Sequence, residues 1–189
     1  MGLLMSAIVL RPAVAADIAA ITRIYSHAVL NGTATYELTP PDEAEMLARF
    51  QSLTDKSYPY IVACDAHGDV VGYAYAGPFR TRPAYRWAVE DSVYTDPAVA
   101  GRGIGLALLT RLLELSQEAG FRQMIAVIGG ADHKPSIRMH EKAGFRSIGI
   151  MEGSGFKFGR WIDTLLMQKP LGEGAISLPD EGVYPGTLG

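Results

Sequence analysis

The run Ala100-Gly101-Arg102-Gly103-Ile104-Gly105 falls between an apolar, strand-like stretch and a leucine-rich helical one. Glycine lets the backbone turn tightly and approach a ligand, and the first turn of a helix offers unpaired N–H groups at the positive end of its dipole. Together these suit a pyrophosphate; the competing reading is a turn that needs small residues only for packing. A dinucleotide fingerprint requires glycine at 106, where Leu106 stands, and a P-loop requires a Gly-Lys-Ser/Thr ending that is absent. Just upstream, Glu90 and Asp91 are adjacent carboxylates that the two-residue period of a strand sends to opposite faces. An acid among apolar neighbours is either a proton acceptor poised near neutrality or a structural carboxylate paired with an arginine. Ser136 and His140 stand four residues apart and share one face of a short helix. Arg80, Arg82 and Tyr85 precede the Glu90 strand; an arginine fork suits a carboxylate or phosphinate, and solvated loop charges are the alternative. His27 and His67 show no metal-ligand spacing, so no metal site is expected.

The elements that must hold these groups follow from hydrophobic period and punctuation. Residues 7–10 read as a first strand, and Asp17 as the cap of a helix with Ile18, Ile21, Tyr25 and Val29 on its apolar face, ended by Asn31-Gly32. Pro40-Pro41-Asp42 opens a second helix carrying Met46, Leu47, Phe50 and Leu53. A hairpin of residues 60–64 and 70–75 follows, then a strand over 87–94, a helix from Leu106 to Gly120 and a strand over 124–128. A short helix over 136–143 and two strands, 145–151 and 164–168, complete the set. Helices and strands alternate, but two antiparallel hairpins interrupt them. The expected class is α/β (α+β): one domain with a mixed, mostly antiparallel central sheet flanked by helices.

A chain of 189 residues is the length of one domain, with 48% apolar and 20% charged residues, enough to bury a core. Seventeen basic and twenty acidic residues give a net charge of -3 without a dense basic run, which argues against a nucleic-acid partner. One cysteine, Cys64, excludes an intrachain disulfide framework and fits a cytoplasmic protein. No stretch reaches the ~18 apolar residues of a membrane span. Residues 1–6 read as an N-terminal extension, since no basic residue precedes the apolar start as in a signal peptide, and the loose myristoylation pattern Met1-Gly2…Ser6 is short. The domain runs from 7 to 170, and 171–189 form a Gly/Pro-rich tail lying over it or across a neighbouring chain.

Four segments carry a family resemblance. They are residues 74–79 (Ala-Tyr-Ala-Gly-Pro-Phe), 84–94 (Ala-Tyr-Arg-Trp-Ala-Val-Glu-Asp-Ser-Val-Tyr), 136–145 (Ser-Ile-Arg-Met-His-Glu-Lys-Ala-Gly-Phe) and 155–161 (Gly-Phe-Lys-Phe-Gly-Arg-Trp). With the glycine loop, they make the chain resemble the GNAT superfamily of acetyl-CoA-dependent N-acetyltransferases, and more narrowly the phosphinothricin (methionine sulfoximine) acetyltransferases, from about Ile8 to Lys169. Two positions depart from the pattern: Ala100 replaces the loop's leading Arg or Gln, and His133 replaces the Asn before the short helix.

The resemblance implies acetyl-CoA as cosubstrate and a small amino-acid-like amine as acceptor, with no metal. It assigns Glu90 the general-base role through a water and His140 a place near the thioester. Gly101, Arg102, Gly103, Ile104 and Gly105 are expected on the pyrophosphate, and His133 and Ser136 on the cofactor arm. Backbone N–H groups of Val93, Tyr94 and Thr95 are the expected oxyanion donors, because the strand must part from its neighbour to admit the cofactor. Tyr36 matches the aromatic beside the acceptor, joined by Arg80, Arg82 and Tyr85. A homodimer is implied, with Trp161 near its interface. Acetylation of a peptide N-terminus or a lysine, and a non-catalytic acetyl-CoA-sensing module, are the alternatives.

Overall fold

The central strands Tyr60–Cys64 and Val70–Pro78 are buried almost without interruption, because this chain forms one sheet with a helical layer on each face. The computed structural model describes residues 8–182 and 185–186. Among these residues there are seven strands: β1 (Val9–Pro12), β2 (Tyr60–Cys64), β3 (Val70–Pro78), β4 (Ala88–Thr95), β5 (Gln123–Gly129), β6 (Arg146–Lys157) and β7 (Arg160–Pro170). They join in the order β1-β2-β3-β4-β5-β7-β6. Every pairing is antiparallel except β4 with β5. The helices are α1 (Ile18–Asn31), α2 (Glu43–Thr54), α3 (Ile104–Glu118) and α4 (Lys134–Lys142). The expected mixed sheet is thus the observed one, and β4–β5 is its parallel pair.

Two apolar clusters mark the two faces. Ile104, Leu108, Leu109 and Leu112 of α3 pack on Ala74, Ala76, Val89, Met124 and Ala126. Ile18, Ile21, Ile24 and Tyr25 of α1 with Met46 and Phe50 of α2 pack on Tyr60, Val62 and Tyr73. Asp42 caps α2 by accepting from the Glu45 N–H at 2.8 Å, worth about 1 kcal/mol.

Two expectations need correcting. Asp17 does not cap α1 with its side chain; its carboxylate accepts from the Val14 N–H and from both Arg11 guanidinium nitrogens at 2.8 Å. A short 3₁₀ turn, residues 15–17, brings the chain into α1 ahead of that point. The second hairpin is also longer than the apolar pattern implies, with β6 running on to Lys157 and β7 beginning at Arg160. Most of β6 is exposed, so burial left no alternating trace there. Beyond β7, Leu171 is buried and Arg122 donates to the Gly174 and Ser177 carbonyls, laying the start of the tail on the domain. The proposed extension at 1–6 lies outside the described residues.

Candidate active site

β4 pairs with β5 only at Ala88, Val89 and Glu90, whereas β5 continues beside β7 as far as Gly129. Beyond Glu90 the two parallel strands therefore diverge, and the backbone groups of β4 that face β5 have no ladder partner there. A cavity of about 300 Å³ occupies the gap, lined by residues 90–94 and 126–129, the segment 33–36 and His133, Ser136, Met139 and His140 of the α4 region. That volume is at the small end of the range for small-molecule sites.

Strand parity divides the work of the two carboxylates. Val89 packs in the α3 cluster and Asp91 reaches His140 of α4, so Glu90 faces the other side, where α1 and the 33–36 segment lie. Burial pushes the Glu90 carboxyl up to about 7, with the nearby Asp91 charge adding to the effect. Among the described residues no cation contributes to that balance, which leaves the arginine-paired reading of Glu90 without a partner there. A carboxyl half-ionised at neutral pH on a cavity wall has the properties of a general base.

Asp91 and His140 form a buried pair, with His140 Nε2 3.0 Å from Asp91 Oδ2 and side chains 3% and 5% exposed. The other ring nitrogen, Nδ1, lies 2.8 Å from the Ser136 carbonyl. Both of these partners are acceptors, so the surroundings favour a ring whose two nitrogens both donate, an imidazolium, with Ser136 Oγ a further 3.4 Å neighbour of Nδ1. Burial opposes that charge, but the Asp91 carboxylate and the Ser136 carbonyl outweigh it and raise the imidazole pKa above its ordinary value. Both ring nitrogens of His140 are thus engaged within the protein. Asp91 Oδ1 is buried without a hydrogen-bond partner among the described residues.

The glycine loop sits at the start of α3. Gly101 and Gly103 adopt φ of +79° and +80°, and nothing lies within 4 Å of where their β-carbons would be. The cradle is open on that side. Gly103 is the N-cap of α3 and supplies no side chain to its first-turn N–H groups, leaving them for a ligand. At Gly105 a β-carbon would stand 2.9 Å from Met139 Sδ of α4. Ile104 is buried and Arg102 exposed.

Val93 and Tyr94 line the cavity, while Thr95 ends β4 against Gly72. His133 is the exposed N-cap of α4, and Ser136 lines the cavity beside it. Tyr36 is brought in as well, with its hydroxyl bonded to Thr164 Oγ1. Arg80, Arg82 and Tyr85 are not brought to this cavity. They are exposed on the connection between β3 and β4, where the Arg80 guanidinium stacks over Phe79 and Tyr85 at 5.2 and 5.7 Å.

A family model for the acetyltransferase (GNAT) domain matches residues 10–166. The chain belongs to the GNAT acetyltransferase family. Among GNAT relatives it is 46% identical over 164 residues to a phosphinothricin N-acetyltransferase of Alcaligenes faecalis, covering 87% of this chain and 83% of that one. It is 41% identical over 159 residues to an L-methionine sulfoximine/L-methionine sulfone acetyltransferase of Pseudomonas aeruginosa, covering 84% and 92%. A GNAT phosphinothricin acetyltransferase from Sinorhizobium meliloti, solved in complex with AcCoA, superposes with a TM-score of 0.92 at 58% identity, covering 94% of this chain and 96% of that one.

Within this GNAT domain, several site residues carried no signal by type or spacing. Thr33 and Thr35 belong to an irregular segment, and Asp91 stood out only as the neighbour of Glu90. The pairing of Asp91 with His140 spans 49 positions, a separation that no local pattern announces. Among the described residues no helix is long and apolar enough to cross a membrane, and no cluster of His, Cys, Asp and Glu suited to a metal ion is found.

Proposed function

We propose that the protein transfers the acetyl group of acetyl-CoA to the primary amine of a small amino-acid-like acceptor of the phosphinothricin, methionine sulfoximine or methionine sulfone type. The observation that carries this reading is Glu90, a carboxyl raised to about 7 on the wall of a cavity opened by the parting of β4 and β5. An amine with a pKa near ~10 arrives protonated at neutral pH, and ionised Glu90 accepts its proton, directly or through one water. The free amine then attacks the thioester carbonyl, the unladdered N–H groups of β4 stabilise the oxyanion, and as the carbon–sulfur bond breaks the proton shed by the nitrogen in forming the amide passes to the sulfur, releasing the thiol. We assign His140 to positioning: its imidazolium ties α4 to β4 through Asp91. The relatives' names support the acceptor class, and the modest cavity favours a small molecule over a protein chain. Thiol release measured with a panel of amines tests the reading. Turnover should be highest with methionine sulfoximine-like acceptors; peptide amines as the better substrates would overturn it.

The donor's pyrophosphate is assigned to the loop 101–105. Gly103→Val puts a branched side chain into the open cradle at a positive φ, so acetyl-CoA affinity should fall at least tenfold by calorimetry. Unchanged affinity would make the loop a packing turn only.

A homodimer is proposed over the outer face of β6–β7. Ile150, Phe156, Phe158 and Trp161 are more than half exposed there, and such a patch on a small domain marks an interaction surface. Light scattering at micromolar concentration should return twice the chain mass, and a monomer would refute the assignment. A cytoplasmic location is proposed on the single, buried and free Cys64.

A further inference from the structure

The segment 155–161 stands apart from the chemistry described so far, yet it contains a lysine in an unusual place. β6 and β7 are joined by Phe158 and Gly159, both at positive φ of 53° and 72°, the geometry of a two-residue hairpin turn. Alternation then sends Phe156 outward and Gly155 and Lys157 inward. Lys157 is only 3% exposed, and its Nζ donates to the carbonyls of Gly32 at 2.8 Å and Thr35 at 2.9 Å. A buried ammonium is costly unless hydrogen-bonded, so this arrangement persists only because the carbonyls converge on it.

Those carbonyls belong to the irregular segment between α1 and α2, which has no ladder or helix of its own to hold it. Residues 33–36 of that segment form a wall of the cavity on the Glu90 side of the sheet. Its other ties run to β5 and β7 and, through the Tyr25 hydroxyl 2.9 Å from Thr35 Oγ1, to α1. Thr33 Oγ1 donates to the Gly129 carbonyl at 2.7 Å, and the Tyr36 hydroxyl meets Thr164 Oγ1, which in turn bonds Ser154 Oγ at 2.6 Å. The segment also lies so close to the sheet that side chains are excluded beneath it. A β-carbon on Gly129 would collide with the Thr33 carbonyl, and one on Gly155 would stand 2.8 Å from the Tyr36 ring.

We propose that Lys157 is a positioning residue for the acceptor: from the tip of the β6–β7 hairpin its ammonium clamps the 32–36 segment against the sheet, and this clamp fixes the cavity wall that holds the amine opposite Glu90. The inference rests on the cavity being the amine site. It separates the two substrates. The donor cradle at 101–105 and the Asp91–His140 pair belong to α3, α4 and β4, whereas the clamp joins the hairpin tip to the segment after α1.

Lys157→Met, which keeps the aliphatic stem and removes the three donors, tests this. The acceptor KM should rise at least tenfold, the acetyl-CoA Kd should stay within twofold, and the pH limb set by Glu90 should not move. Lys157→Arg, which keeps a cation and its donors, should recover the KM to within threefold of wild type. Hydrogen exchange supplies a readout without turnover: amides 33–37 should exchange at least tenfold faster in Lys157→Met while those of α3 and β5 keep their protection. Thr33→Val, which removes a different tie of the same segment, should raise the acceptor KM with the same sparing of acetyl-CoA and serves if Lys157→Met does not fold. An unchanged KM, or donor and acceptor constants that worsen together, overturns the clamp. Should wild type acetylate none of the small amines, the substrate reading fails instead, and the exchange rates at 33–37 still decide whether Lys157 holds the segment.

Discussion

Glu90→Gln should bind acetyl-CoA normally and lose roughly 10²–10⁴-fold in kcat/KM near pH 7, the usual range for a general base. Gln keeps the size and hydrogen-bonding reach of Glu but cannot take a proton from an ammonium. The deficit should shrink as pH rises towards the amine's own pKa, because free amine then arrives without help. Wild-type kcat/KM should show a limb at about pH 7, where Glu90 ionises, and the variant should lack it. Stability supplies an independent sign. A carboxyl whose folded pKa is raised from 4.5 to about 7 burdens the folded state increasingly between those two values and fully above them. Replacing it by a neutral side chain should therefore stabilise the protein above pH 7, by up to about 3 kcal/mol. A structural carboxylate predicts the reverse, with a lower melting temperature and a rate loss flat in pH. Paired pH–rate profiles and thermal melts of the two proteins decide between them.

What the amino-acid pattern revealed of this site was what local periodicity controls. The two-residue period separates Glu90 from Asp91, and the four-residue helical spacing places the Ser136 backbone beside the His140 ring. The glycine loop was legible because positive φ leaves a compositional trace, as at Gly101 and Gly103. Gly105 was read as part of the same cradle, and a β-carbon there would also press on the Met139 side chain. Arg80, Arg82 and Tyr85 were joined to the acceptor site by proximity along the chain, yet the β3–β4 connection carries them onto an exposed surface away from the cavity. Lys157 was hidden for the opposite reason: lysine is almost never fully buried, so its type gives no hint of an inward side chain. Only the parity of an exposed strand and carbonyls more than 120 positions away reveal it.

The second large effect is expected from Asp91→Asn. Asp91 and His140 are both nearly sealed from water, and removing one charge of a buried pair typically costs ~3–5 kcal/mol because the other is left uncompensated. Asn can still accept from Nε2–H, so the loss isolates charge from hydrogen bonding. In wild type the raised pKa of His140 gives stability that is fully present below the ordinary imidazole value of ~6.5 and disappears as pH rises through the folded-state value. Without the Asp91 carboxylate, burial acts on the ring with less opposition, and the His140 pKa should fall. The melting temperature of Asp91→Asn should therefore lie roughly 6–20 °C below wild type near pH 6, at about 2–4 °C per kcal/mol for a chain of this size, and the gap should narrow towards pH 9. An NMR titration of the His140 ring should show its midpoint displaced downward in the variant. A gap that stays constant from pH 6 to pH 9, with the midpoint unmoved, would mean that Asp91 contributes packing and not charge, and the imidazolium assignment would fall with it.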